Sequence, residues 1–117
     1  MKLNEIRAVV TGGASGLGNA VATRLIAAGA QVTLIDVNAA GGEAAAKSLG
    51  AAARFKHVDV TNEAAVDTAL ATASKEMGGI NLAVNCAGIG HPRRIVNKEG
   101  AIPGDLFRKI IEVNLVG

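Results

Sequence analysis

At 117 residues the chain has room for one domain, and its 50% hydrophobic content with only 2% aromatic calls for a core of Val, Ile, Leu and Ala, which suits a parallel sheet covered by helices. Twelve Lys and Arg against ten Asp and Glu give +2, spread along the chain with no basic stripe for nucleic acid. No apolar stretch approaches the ~18 residues of a membrane helix, and a lone cysteine behind an N-terminus without a secretory layout makes a reducing, cytoplasmic setting the expectation.

Apolar runs alternate with alanine-rich helical stretches four times. Residues 7–11 form the first predicted strand and 17–28 the first helix, with Val21, Leu25 and Ala28 at helical spacing and Gly29 as its stop. A second strand from Gln31 to Ile35 ends at Asp36, and a helix over 41–49 stops at Gly50. Residues 53–58 make a weaker third strand leading to Asp59. Thr61 or Asn62 caps a helix over 63–77, whose apolar face includes Val66, Leu70 and Met77 and which Gly78-Gly79 end. Leu82-Ala83-Val84 is the fourth strand, followed by Asn85-Cys86-Ala87-Gly88 and a polar loop over 89–103. The last helix begins near Asp105 with Leu106, Phe107, Ile110 and Ile111 on its inner side.

Strand-helix alternation with short connections implies right-handed crossovers and a parallel sheet. The expected fold is α/β and Rossmann-type: a doubly wound sheet of four strands in the order 3-2-1-4, with helices on both faces. Winding reverses between strands 1 and 4, so the crevice above their carboxyl ends is the expected ligand site. Thr11, Gly12, Asn85 and Gly88 all fall there.

The stretch from Thr11 to Gly18, TGGASGLG, joins the first strand to the first helix and reads as a nucleotide-binding turn. Gly12, Gly16 and Gly18 let the chain reverse, bring bare backbone to a pyrophosphate and let the helix lie close to its strand. The N–H groups of the first helical turn, around Ser15, Gly16 and Leu17, then face the phosphates. Asp36 follows at about the offset at which a carboxylate reaches the adenosine ribose hydroxyls and repels a 2′-phosphate. Neither Ala14-Ser15 nor Val37-Asn38 supplies a cation for that phosphate, so the expected cofactor is NAD rather than NADP.

These motifs together resemble the short-chain dehydrogenase/reductases. TGGASGLG, Asp36, Asp59-Val60, Asn85-Cys86-Ala87-Gly88 and Val113-Asn114-Leu115-Val116-Gly117 come in the family's order across the whole chain, Cys86 standing where the family's NNAG has a second Asn. The resemblance implies that Asp59 and Val60 hold the adenine ring, that Asn85, Cys86, Ala87 and Gly88 carry the cofactor ribose, and that Asn114 holds a water in a proton relay. Finer features, including Gly41-Gly42-Glu43-Ala44 and Asn97-Lys98-Glu99-Gly100, look like the type 2 3-hydroxyacyl-CoA dehydrogenases. By resemblance the complete protein is a homotetramer, about twice this length, that oxidises a secondary alcohol with NAD. The family's Ser, Tyr and Lys have no counterpart here, the sequence holding no tyrosine. The expectation is therefore the amino-terminal NAD-binding part of one Rossmann domain over residues 1–117, inactive alone. A non-catalytic nucleotide-binding module and a fragment acting through association are the alternatives.

The remaining reactive residues read as ordinary. Cys86 has no His or Asp beside it in sequence to activate it, and His57 and His91 lack a second ligand at metal spacing, so no metal site is expected. Arg93, Arg94 and Lys98 lie in the long loop, where a solvated role is commoner than contact with a phosphate-bearing substrate such as an acyl-CoA.

Overall fold

A computed structural model describes residues 1–90 and 94–117, so His91 and Arg93 lie outside the described residues. Strands β1 (Arg7–Thr11), β2 (Gln31–Asp36), β3 (Ala53–His57) and β4 (Leu82–Asn85) form one parallel sheet in the order β3-β2-β1-β4. This is the doubly wound order expected from the alternation of elements. Helices α1 (Gly16–Ala27) and α2 (Ala39–Leu49) cover one face, and α3 (Glu63–Met77) the other.

Alternation along each strand sorts the core into two layers. Ala8, Val10, Val32 and Leu34 point to α1 and α2, where Leu25, Ala45 and Leu49 meet them. Val9 and Ile35 point to α3 and its Ala69, Ala73 and Met77. The central strands are thus buried on both faces, as their near-continuous apolar runs require. With so few aromatics, the helices approach on small residues. Gly18 and Ala22 are the buried positions of α1, one register away from the expected stripe through Val21, and a Cβ on Gly42 of α2 would collide with the Phe55 ring of β3. Asn81 fastens the starts of β1 and β4: its Oδ1 accepts the Arg7 N–H at 2.8 Å and its Nδ2 donates to the Glu5 carbonyl at 2.9 Å.

Of the two expected caps of α3, it is Asn62 that serves, its Oδ1 accepting the Ala65 N–H at 3.1 Å. Two local expectations are corrected. The stretch expected as loop over 89–103 contains a small antiparallel hairpin, β5 (Val96–Asn97) with β6 (Gly100–Ala101), whose turn closes through Asn97 Oδ1 accepting the Glu99 N–H at 2.8 Å. Helix α4 (Gly104–Ile111) half-buries Leu106 and Ile110, but Phe107 and Ile111 face outward, 57% and 38% exposed. Beyond it the backbone loosens into a π-helical turn over Glu112–Val116.

Candidate functional site

Each glycine of the β1–α1 turn serves a separate purpose. Gly12 has φ +67, and a Cβ there would stand 2.7 Å from the Cys86 carbonyl oxygen, so only glycine lets the turn press against the end of β4. Gly18 is buried, and a Cβ on it would collide with the Gly12 carbonyl; its absence lets α1 start directly against the turn. Gly16 has φ +55 with nothing within 4 Å of a Cβ position, so the space above it is open. Ser15 precedes α1 in extended conformation with no side-chain cap, and the first backbone bond runs from the Asn19 N–H to the Ser15 carbonyl at 3.2 Å. The N–H groups of Gly16, Leu17 and Gly18 therefore open upward at the positive end of the helix dipole, an arrangement suited to an anion.

Two acidic side chains stand at the next two strand ends. Asp36 is locked in place: Oδ2 accepts the Ala14 N–H and Oδ1 the Asn38 N–H, both at 3.0 Å. Each oxygen keeps a further lone pair for a ligand hydroxyl. Asp59 accepts the Thr61 N–H at 2.9 Å and the Thr61 hydroxyl at 2.8 Å. Those two bonds, with a smaller pull from the Lys109 ammonium, hold its carboxyl below the usual carboxylate range against a weak opposing effect of burial. It is a ready acceptor at neutral pH. The same two bonds make the tight turn that leads to the α3 cap, so Asp59 combines a structural and a ligand-facing position.

The end of β4 is held from both sides. Thr11 Oγ1 accepts the N–H groups of Cys86 and Ala87, each at 3.2 Å. Asn114, in the π-helical turn, brackets Ile89: its Oδ1 accepts the Ile89 N–H and its Nδ2 donates to the Ile89 carbonyl, both at 2.8 Å. In Asn114→Ala both groups lose their partner, and chemical denaturation is expected to show a loss of about 1 kcal/mol; an unchanged midpoint would mean that water replaces both bonds.

Between these strand ends and α4 lies a cavity of about 600 Å³. Gly12, Ser15, Gly16, Leu17, Gly18, Asp36, Asp59, Val60, Cys86, Ala87 and Gly88 all line it. Asn85 does not: it ends β4 opposite Thr11 on the exposed side of an edge strand. Asn114 stands behind the wall and acts on it through Ile89. Cys86 is a half-buried free thiol. Arg94 and Lys98 are exposed and do not line the cavity; among the described residues the cation that lines it is Lys109. Sequence reasoning missed Lys109 and the clamp made by Thr11. The signal for Lys109 was its position one helical turn before Val113, which also lines the cavity.

A glycine-turn anion cradle, a fixed carboxylate at the end of β2 and a crevice at the reversal of winding define a dinucleotide-type site. The family profile of the short chain dehydrogenases matches residues 7–117, and the chain belongs to that family. Among curated relatives, the 3-hydroxyacyl-CoA dehydrogenase type-2 of Homo sapiens is 46% identical over 112 residues, 94% of this chain and 43% of the relative. Galactitol 2-dehydrogenase of Agrobacterium fabrum is 32% identical over 117 residues, 100% of this chain and 44% of the relative. Among solved structures, 3-ketoacyl-(acyl-carrier-protein) reductase from Brucella melitensis complexed with NADH superposes with a TM-score of 0.85 at 37% identity, covering 92% of this chain and 43% of that one. The chain thus spans less than half the length of the relatives it matches.

Proposed function

We propose that residues 1–117 form the NAD(H)-binding part of a Rossmann domain in an oxidoreductase that moves hydride between the cofactor and a secondary alcohol or ketone. The observation that carries this reading is the Asp36 carboxylate, held by two backbone N–H groups beside the open space above Gly16 at the start of α1. The fit to the dinucleotide is good at each part. The N–H groups of Gly16 to Gly18 suit the pyrophosphate, Asp36 the adenosine ribose hydroxyls, Asp59 with Val60 the adenine, and Cys86 to Gly88 the second ribose. When bound, NAD supplies the hydride acceptor. The chain's own part is to orient it: Thr11 and Asn114 fix the backbone from Cys86 to Ile89, which would carry the nicotinamide half. A 3-hydroxyacyl-CoA is the proposed substrate class, supported by the 46% identity to the human type-2 enzyme. An oligomer belongs to the same reading, as the resemblance to the short-chain dehydrogenases implies. Titration calorimetry is expected to give NADH at least about tenfold tighter binding than NADPH, about 1.4 kcal/mol; equal affinity, or no binding, refutes the reading.

A further inference from the structure

We propose that His57 is a positioning residue for cofactor selection, acting on Asp36 through one peptide plane; the proposal rests on the NAD(H) reading above. His57 ends β3 directly opposite Asp36 in the sheet register, yet is not among the residues lining the cavity. Its Nε2 lies 2.9 Å from the Val37 carbonyl oxygen. A carbonyl only accepts, so the proton of this bond sits on Nε2. The Val37 carbonyl and the Asn38 N–H are opposite edges of the same planar trans peptide. That N–H donates to Asp36 Oδ1 at 3.0 Å.

The orientation of Asp36 is therefore set by two donors with different supports. Ala14, on Oδ2, is carried by the glycine turn, whose Gly13 N–H is anchored to the Ile35 carbonyl at 3.3 Å. Asn38, on Oδ1, is carried by a peptide whose other edge His57 holds. The Asn38 side chain gives no help, because its Oδ1 is engaged with the Gly41 N–H at 2.9 Å as the cap of α2. Without the imidazole N–H the Val37–Asn38 plane turns more freely, its N–H leaves Oδ1, and the carboxylate rotates about its remaining bond. A carboxylate that rotates grips the ribose hydroxyls less firmly and opposes a 2′-phosphate less. His57 thus tunes which dinucleotide is taken while touching neither.

The test uses the full-length protein, with NADH and NADPH titrated calorimetrically into the unmutated form, His57→Phe and His57→Gln. Phe keeps the ring and loses the donor; Gln places an amide N–H near the position of Nε2. The NADH over NADPH affinity ratio is expected to fall about fivefold in His57→Phe, mainly through weaker NADH, the size of one ordinary hydrogen bond. In His57→Gln it stays within about twofold of the unmutated value, the difference being small against that bond. A general loss of stability lowers both affinities and leaves the ratio unmoved, so an unmoved ratio in His57→Phe overturns the proposal while the nucleotide reading stands. Failure of the unmutated protein to bind either dinucleotide overturns both. Nitrogen-15 spectra of the unmutated protein provide a readout independent of how the variants fold: the neutral His57 ring is expected as the Nε2–H tautomer, and a predominant Nδ1–H tautomer overturns the assignment.

Discussion

Gly18→Ala is expected to destabilise the protein by about 3 kcal/mol, the upper end of ordinary overpacking, because the added methyl meets main chain rather than a movable side chain. The atom in its way is the Gly12 carbonyl oxygen, and neither partner has a rotamer to change. Relief requires α1 to move off the turn, which also turns its N–H groups away from the cavity. Gly16→Ala is expected to behave in the opposite sense. Its Cβ position is free of contacts within 4 Å, so the stability loss is confined to the φ of +55, about 1 kcal/mol. Its methyl, however, projects into the open space assigned to the pyrophosphate, and NADH affinity should fall more than stability does. Urea denaturation and calorimetry on both variants separate the two glycines; equal destabilisation would show that they do not have the separate roles argued from the geometry.

Asp36→Ala is expected to erase the preference for NADH over NADPH, bringing a ratio of at least about ten close to unity, a change of about 1.4 kcal/mol. Two effects act together. The ribose hydroxyls lose a bidentate acceptor, and a 2′-phosphate no longer meets a negative charge. Loss of the carboxylate also frees the N–H groups of Ala14 and Asn38, which become donors for that phosphate. Asp36→Asn separates these contributions, since its amide oxygen still accepts one N–H while the charge is gone. NADPH affinity should rise in both variants. A drop in NADH affinity with NADPH unchanged would assign Asp36 to hydroxyl binding alone and remove its part in rejecting the phosphate.

The sheet order and the cavity wall were legible because both follow from local rules repeated along the chain. Alternating apolar runs and helical stretches dictate a parallel sheet. The glycines of TGGASGLG and the Asp at the end of β2 sit where that sheet reverses its winding. What stayed hidden depends on contacts between distant segments. Lys109 reads as one more exposed cation on an amphipathic helix until α4 is laid across the cavity. His57 reads as a lone histidine until the register of β2 and β3 puts it beside Val37. Phe107 and Ile111 match an inward-facing helical pattern, yet the face packed in this structure is that of Leu106, Ile110 and Val113. The hairpin from Val96 to Ala101 did carry a local signal in Asn97 and Gly100, but strands of two residues each are too short to show a period.

The fastenings at the end of β4 bear on the order in which the molecule assembles. Thr11 reaches Cys86 and Ala87 across 75 and 76 residues of chain, and Asn81 reaches Arg7 and Glu5 across 74 and 76. Segments this far apart meet only after the intervening β-α units have collapsed, since closing so long a loop is entropically opposed until other contacts shorten it. The Asp36 elbow, held by the Ala14 and Asn38 N–H groups, draws on neighbours no more than about 22 residues away and can take shape early. The side of the cavity proposed for adenosine thus rests mostly on local contacts, and the side proposed for nicotinamide on the last crossover. The Ile89 end of that wall draws its last backbone bonds from Asn114, the contribution furthest along the chain.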